Sequence, residues 1–192
     1  MMNYRCRSCF KLLEINDKHK FLKPGQAVID VGAAPGSWSQ ICVKAVNSDG
    51  GYENKPKGIV IGIDKLQIYP VEGATFLGNT DFTSPIAQQK IKIMLNGRKV
   101  NNVLSDMAPN ATGVRSLDTE NIMELAFSVL NFAKEVSAPE ACLLIKIWDN
   151  GEAHKLEKAI KEFYATCKSI KPNSSRSDSA EKFLFAKGFK TL

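Results

Sequence analysis

Residues 30–38 read Asp-Val-Gly-Ala-Ala-Pro-Gly-Ser-Trp, and this stretch decides the fold. It follows the apolar run 27–29 and leads into an apolar periodicity through residues 41–46. The pattern predicts a buried strand that turns into a helix through a loop of small residues. Such a loop lets the backbone approach a ligand at the carboxyl edge of a sheet, where open α/β folds bind their ligands.

Strand patterns and helical patterns alternate from residue 26 onward, which is typical of βαβ units around a parallel sheet. Helices are predicted at 8–19, between Pro85 and Gly97, and after Leu117, where apolar residues recur at three- and four-residue steps. We therefore predict an α/β, Rossmann-like fold: a mostly parallel sheet with helices on both faces and one antiparallel strand near the end. The seven predicted strands are 26–31, 58–64, 74–77, 101–106, 141–147, 168–171 and 182–186.

The composition is that of an ordinary globular protein, with 44% hydrophobic and 24% charged residues among 192. This length suffices for one sizeable core, so we expect a single domain over 1–192, with a leading helix and basic segment at 1–25 and the Rossmann-like core at 26–192. No apolar run approaches the roughly 20 residues that cross a bilayer, and the first residues lack the apolar stretch of a signal peptide. We expect a monomer without a membrane span.

The formal net charge of +6 is concentrated at the two ends of the chain. Residues 1–25 and 168–192 each carry six Lys or Arg against two acids, whereas residues 26–167 carry fourteen against sixteen. If the fold brings both ends to one face, they would form a rim that binds RNA phosphates. The alternative is that the basic ends only keep the chain soluble.

The five cysteines do not indicate a disulfide framework, because their number is odd and their spacing is irregular. Cys6 and Cys9 form a Cys-x-x-Cys pair, but a structural zinc site needs four ligands. The other cysteines stand alone, and the two histidines, His19 and His154, are far apart in the chain. We predict no metal site.

Acidic residues follow three successive predicted strands, which indicates a nucleoside site. The loop has neither the Gly-x-Gly-x-x-Gly pattern of dinucleotide sites nor the Gly-Lys-Ser/Thr of a P-loop. Asp30 and the amides of Gly32–Gly36 suit the amino and carboxylate groups of a methionine, as in S-adenosylmethionine. Asp64 suits the ribose hydroxyls and Asp81 the adenine amine, although each acid alone is more often a cap or turn residue. The predicted cofactor-binding residues are Asp30, Gly32, Ala33, Ala34, Pro35, Gly36, Ser37, Trp38, Asp64, Asp81 and Asp106.

Several stretches together resemble the FtsJ/RrmJ-type ribosomal RNA 2′-O-methyltransferases. They are Phe10-Lys11-Leu12, residues 30–36, Ser105-Asp106-Met107-Ala108-Pro109-Asn110, Lys146, Lys171-Pro172, Ser175-Arg176 and Glu181. The resemblance implies a class I methyltransferase fold, S-adenosylmethionine as cofactor, and ribosomal RNA or a large-subunit precursor as partner. Residues 66–77 and 110–113 most resemble the mitochondrial branch, which implies a mitochondrial location and a uridine of the large-subunit RNA.

The same resemblance places a catalytic tetrad on Lys11, Asp106, Lys146 and Glu181. A ribose hydroxyl is a weak nucleophile, so catalysis must align its oxygen and manage its proton. Lys146 ends the apolar run 142–145, where loss of solvation makes an amine a better base, and Asp106 opposes that shift by holding the ammonium. For Lys11 or Glu181 alone, a plain surface charge is the stronger interpretation.

Two positions depart from the family pattern, and two other functions stay open. Ser37 stands where Gly is frequent, and Phe183 where Tyr is common, which leaves an aromatic face that we expect to stack on a base. The alternatives are a 2′-O-methyltransferase that acts on transfer RNA or a messenger cap, and a non-catalytic RNA-binding assembly factor. Intact Asp30, Asp106, Lys146 and Glu181 argue against the second.

Overall fold

The computed structural model describes residues 3–149 and 151–191. Within them, seven strands form one sheet in the order β3-β2-β1-β4-β5-β7-β6. The helices and strands, in chain order, are α1 (Cys9–His19), β1 (Ala27–Val31), α2 (Ser37–Val46), β2 (Ile59–Ile63), β3 (Ala74–Leu77), α3 (Pro85–Leu95), β4 (Val100–Ser105), α4 (Arg115–Val136), β5 (Ser137–Trp148), α5 (Ala153–Phe163), β6 (Tyr164–Ile170) and β7 (Glu181–Phe189). The predicted α/β fold is confirmed.

The order of the strands places the binding edge. β1 pairs in parallel with β2 on one side and with β4 on the other. The chain therefore adds β2 and β3 on one side of β1 and then crosses to add β4 and β5 on the other side. A crevice forms at such a switch point, outside the carboxyl ends of the strands. β7 runs antiparallel between β5 and β6, so its first residues, and not its last, lie at this edge.

Helices cover both faces of the sheet, as predicted. Buried residues of α1 and α2 pack on one face, and those of α3, α4 and α5 pack on the other. Alternate residues of β5 divide between these two cores: Leu143 and Ile145 join the second, and Leu144 joins the first. No helix in the described part of the chain is long and apolar enough to cross a membrane.

The structure differs from the prediction mainly between residues 137 and 170. β5 begins at Ser137, directly after α4, because a bulge carries the strand past Glu140, whose φ is 64°. The prediction began this strand at Ala141, because Pro139 and Glu140 interrupt its apolar pattern. α5 was not predicted; it buries Ala153, Leu156 and Ile160 among mostly charged neighbours. β6 begins at Tyr164, four residues before the predicted start. Its buried and exposed residues do not alternate regularly, so the sequence pattern does not mark its first residues as a strand.

Candidate active site

A cleft of about 870 Å³ opens at the carboxyl ends of β1, β2 and β4. Its volume falls within the range of small-molecule sites. Five of the predicted cofactor-binding residues line it: Gly32, Ala34, Asp64, Asp81 and Asp106. The strand ends named in the sequence therefore do meet at one cavity, whose walls carry more carboxylates than cations.

Gly32 allows the loop after β1 to lie close to the loop after β4. Its φ is 78°, a conformation that residues with a side chain rarely adopt. A Cβ at this position would lie 2.8 Å from Cγ of Met107 and 2.9 Å from its backbone nitrogen. A larger residue would therefore push the two loops apart and deform the floor of the cleft.

The other predicted loop residues do not line the cleft. Ala33, Ser37 and Trp38 are buried. The carbonyl of Pro35 accepts a hydrogen bond from Arg5 at 2.9 Å, and Gly36 caps α2 with a φ of 111°. The direct contacts with a cofactor that we predicted for these five residues stay predictions. Their observed contacts are with the rest of the protein and stabilise the loop.

Arg5, which sequence reasoning missed, ties this loop to the segment after β2. Besides Pro35, its guanidinium donates to the carbonyl oxygens of Tyr69 and Pro70, both at 2.6 Å. A guanidinium with several donors in one plane suits such a cluster of carbonyls. Nothing in the sequence distinguishes Arg5 from the other basic residues of the leading segment, so these hydrogen bonds could not be predicted.

Asp64 links the loop after β1 to the loop after β2. Its Oδ2 accepts a hydrogen bond from the amide of Ala34 at 2.9 Å, and its Oδ1 accepts one from the amide of Leu66 at 2.8 Å. Each carboxylate oxygen has a further lone pair, so both can still accept from a ligand in the cleft. The placement agrees with the role expected for a ribose-binding acid.

Asp81 is held in its charged form at the side of the cleft. Partial burial by itself pushes the pKa of Asp81 up, but hydrogen bonds from Thr83 and the nearby ammonium of Lys65 lower it below its usual value. Lys65 Nζ lies 3.2 Å from Asp81 Oδ2. The group therefore acts as a hydrogen-bond acceptor at neutral pH, as a partner of an exocyclic amine must.

Asp30 differs from these two acids because it is fully buried and does not line the cleft. Its Oδ2 accepts a hydrogen bond from Ser39 Oγ at 2.6 Å, and its Oδ1 has no hydrogen-bond partner among the described residues. Burial raises the pKa of Asp30 to about 7, helped by the charges of Asp106 and Asp64 and opposed by Ser39. Its predicted contact with the cofactor stays a prediction.

The four predicted catalytic residues meet beside the cleft. Lys11 forms an ion pair with Glu181, and Lys146 Nζ lies 3.9 Å from the other oxygen of Glu181. Lys146 Nζ also donates to the backbone carbonyl of Asp106 at 2.8 Å and lies 3.1 Å from Asp106 Oδ1. The four side chains are between 10% and 18% exposed, so their charges alternate in a largely desolvated cluster.

Four separate elements supply this cluster, which we call the charged tetrad (Lys11, Asp106, Lys146 and Glu181). Lys11 comes from the first turn of α1, and Asp106 follows β4. Lys146 lies near the end of β5, and Glu181 begins β7, where it pairs in register with Trp148. The reversed direction of β7 therefore brings Glu181 to the edge at which β4 and β5 end. No group of metal-ligating residues occurs in the described ranges.

A model of the FtsJ-like methyltransferases matches residues 4–189. The chain belongs to this family. The protein "rRNA methyltransferase 2, mitochondrial" of Drosophila melanogaster is 55% identical over 99% of this chain and 76% of its own length. "Ribosomal RNA large subunit methyltransferase E" of Rhodopseudomonas palustris is 43% identical over 97% of this chain and 77% of its own. The resemblance stated from the sequence is confirmed.

A solved structure supports the same family. The crystal structure of a protein described as a ribosomal RNA methyltransferase from Plasmodium falciparum matches with a TM-score of 0.83 and 26% identity. The match covers 97% of this chain and 98% of that one. The layered sheet and its helices are thus the usual architecture of an FtsJ-like methyltransferase.

One expectation for this FtsJ-like methyltransferase was wrong. Phe183 is fully buried, so its ring is not available to stack on an RNA base. It packs against the ring of Trp38, with the centroids 5.8 Å apart, and joins the core beneath α1 and α2. The residue lies on the face of β7 that these helices cover, which its position two residues after Glu181 did not reveal.

Sequence reasoning also missed the far wall of the cleft. Asn121, Glu124, Leu125 and Ser128 line it from α4. They recur at three- and four-residue steps beside the apolar face of the helix, and this periodicity was a usable signal. The prediction of the cofactor site rested on the acidic residues at the strand ends and did not include the helix.

The buried carboxyl of Asp30 makes the stability of this methyltransferase depend on pH. Below about pH 4 the group is protonated in both the folded and the unfolded chain. As the pH rises towards 7, the unfolded chain loses this proton first, so the folded state is destabilised, on the order of a few kcal/mol above pH 7. Asn does not titrate, so the Asp30→Asn variant lacks this destabilisation. The free energy of unfolding of the variant relative to the parent should therefore grow with pH and level off above pH 7.

Urea unfolding of the parent and of Asp30→Asn between pH 4.5 and 8 measures this difference. Other titrating groups are shared, so their contributions cancel. A difference in the free energy of unfolding that stays constant over this range would contradict the prediction.

Proposed function

We propose that this protein transfers a methyl group from S-adenosylmethionine to a ribose 2′-hydroxyl of ribosomal RNA. The observation that carries the proposal is the charged tetrad, which lies next to an acid-lined cleft at the switch point of the sheet. One chain supplies the cleft and all four charged residues, so we propose that it acts as a monomer.

The cleft suits S-adenosylmethionine in charge and in shape. Four carboxylates line it, those of Asp64, Asp81, Asp106 and Glu124, and they favour a ligand that carries a sulfonium and an ammonium charge. Asp64 would hold the ribose hydroxyls and Asp81 the adenine amine, while Phe82 provides an apolar floor. When bound, the cofactor supplies a methyl group that its sulfonium has already activated.

Lys146 is the group best placed to act on the ribose hydroxyl. Two oxygens of Asp106, the backbone carbonyl and Oδ1, hold its ammonium. They fix the direction of this group, so the ammonium can align the 2′-oxygen, and the neutral amine, once it has lost a proton to solvent, can accept the proton of the hydroxyl. Glu181, paired with Lys11, balances the charge at the rear of the cluster.

The fold brings the two basic ends together, which supports binding to RNA. The carboxylate of Glu14 in α1 accepts hydrogen bonds from the amides of Asn173 and Ser174. At the other end of α1, burial and three neighbouring ammonium groups lower the pKa of His19. These groups belong to Lys18, Lys168 and Lys187. This closeness of the two ends supports the proposed rim for RNA phosphates.

The substrate within this class is proposed from the relatives. We propose a uridine of mitochondrial large-subunit RNA, and a mitochondrial location, because the Drosophila relative is named as a mitochondrial rRNA methyltransferase. Mass spectrometry of nucleosides from organellar and cytosolic ribosomal RNA after depletion of the protein tests this choice. Loss of one 2′-O-methyl signal from the organellar RNA is expected. A loss confined to transfer RNA or messenger caps would favour the other substrates, and no loss at all would favour an assembly factor.

Asp64→Ala should weaken binding of S-adenosylmethionine about tenfold or more, because the ribose loses its acceptor. Calorimetry on the isolated chain without added metal measures it. Asp178→Ala removes an exposed acid from the loop before β7 and serves as the control. Equal affinity in parent and Asp64→Ala, or a strict need for Mg²⁺, would contradict the assignment.

RNA binding should fall steeply with salt, because phosphates that bind the basic rim release counterions. Lys23→Glu with Arg176→Glu should weaken binding and flatten the dependence on salt concentration. Lys158→Glu, on an exposed position of α5 at the opposite face, changes one charge in the same direction and should have less effect. Binding by the parent that is independent of salt would remove the rim hypothesis.

Lys146→Arg and Lys146→Met separate a proton-accepting amine from a mere positive charge. Arg keeps the charge but cannot give up its proton, and Met keeps much of the volume without the charge. Both variants should bind cofactor normally and lose about 100-fold or more in methyl transfer, measured in single turnovers. Substantial activity in Lys146→Arg would contradict proton acceptance by Lys146 and leave its positive charge as its only contribution. Loss of cofactor binding in both variants would show that Lys146 maintains the structure of the site.

A further inference from the structure

Ser8 precedes α1, but its hydroxyl does not cap that helix. Serine at such a position usually accepts a hydrogen bond from an amide in the first turn of its own helix. Here no side-chain cap bond is present, and the backbone of Ser8 has helical angles, with φ −58° and ψ −23°. The hydroxyl instead lies 2.6 Å from Asp106 Oδ2. Its contribution is therefore to the charged tetrad and not to the start of α1.

The direction of this hydrogen bond follows from Trp38. The indole Nε1 of Trp38 lies 2.9 Å from the carbonyl oxygen of Ser8 and 3.1 Å from its Oγ. An indole nitrogen can only donate, so Ser8 Oγ accepts from it. The hydroxyl proton of Ser8 is then free to point at Asp106, whose carboxylate can only accept.

The contact divides the oxygens of Asp106 between two partners. Ser8 takes Oδ2, while Lys146 Nζ lies 3.1 Å from Oδ1 and donates to the carbonyl of the same residue at 2.8 Å. The terminal torsion of an aspartate is soft, so a carboxylate with one partner can rotate. With Ser8 in place, the carboxylate is held by a hydrogen bond at Oδ2 and by the charge of Lys146 near Oδ1, which has no hydrogen-bond partner among the described residues.

We propose that Ser8 is a positioning residue for methyl transfer, acting through Asp106 on the amine of Lys146. This role of Ser8 rests on the proposed function, in which the amine of Lys146 acts on the ribose hydroxyl. Trp38, which is buried in the first turn of α2, connects the same hydroxyl to the loop after β1. The hydrogen-bonded series Trp38, Ser8, Asp106 and Lys146 thus links the helix behind the cofactor loop to the reacting amine.

Ser8→Ala removes the donor to Asp106 and leaves the cleft unchanged. We expect kcat to fall about tenfold or more, because a hydrogen bond to a charged group is lost. The dissociation constant for S-adenosylmethionine and the KM for RNA should stay within about twofold, since Ser8 does not line the cleft. Ser8→Thr keeps the hydroxyl and should recover most of the rate. Ser169→Ala, on an exposed position of β6, is the control and should match the parent.

A double-mutant cycle distinguishes positioning from a general effect on the fold. If Ser8 acts through Lys146, Ser8→Ala should change the single-turnover rate less than about twofold in a Lys146→Met background. An equal loss in both backgrounds, or a joint loss of thermal stability, cofactor affinity and kcat, would show a structural role and overturn the inference. So would full activity of Ser8→Ala in an active parent, or an inactive Ser8→Thr.

The two levels of the proposal fail differently. A folded parent chain that binds S-adenosylmethionine and ribosomal RNA but transfers no methyl group would overturn the proposed function, and the role of Ser8 with it. An active parent with a fully active Ser8→Ala variant would overturn the role of Ser8 alone.

Discussion

The burial of the Lys146 ammonium is the constraint on which the site depends. Only 10% of this side chain is exposed, and an unpaired charge in such a position would cost several kcal/mol. Its partners come from β4 and β7, and Glu181 in turn needs Lys11 from α1. The direction of β7 and the packing of α1 against the sheet are therefore coupled to one cation. Elements that lie far apart in the chain are held in place by the need to neutralise it.

Three aspartates near the strand ends show how burial decides the use of one residue type. Asp64 is bound by two backbone amides but borders the cleft, so it keeps lone pairs for a ligand. Asp81 stays charged beside Lys65. Asp30 lies inside the protein, where burial raises its pKa to about 7 and Ser39 is its hydrogen-bond donor. Asp64 and Asp81 line the cleft, and the hydrogen bond of Asp30 to Ser39 joins β1 to α2.

Much of the fold and the centre of the site could be predicted from the sequence, since both rest on local patterns. Apolar runs followed by small or acidic residues mark strand ends, and these ends must meet at one edge of a parallel sheet. The contacts of Arg5 and Ser8 could not be predicted, because they join the leading segment to residues at least 30 positions away through side-chain hydrogen bonds that leave no local pattern in the sequence. The burial of Phe183 depends on which face of β7 the helices α1 and α2 cover, and no pattern within the strand records this.

The reversed direction of β7 leaves the segment between β6 and β7 at the functional edge of the sheet. Residues 171–180 lead directly into Glu181, and this segment contacts α1 through Glu14 and not the cofactor cleft. A substitution or insertion in this segment can therefore leave the lining of the cleft unchanged. The segment is therefore a site at which a new recognition element could be grafted without altering the lining of the cleft.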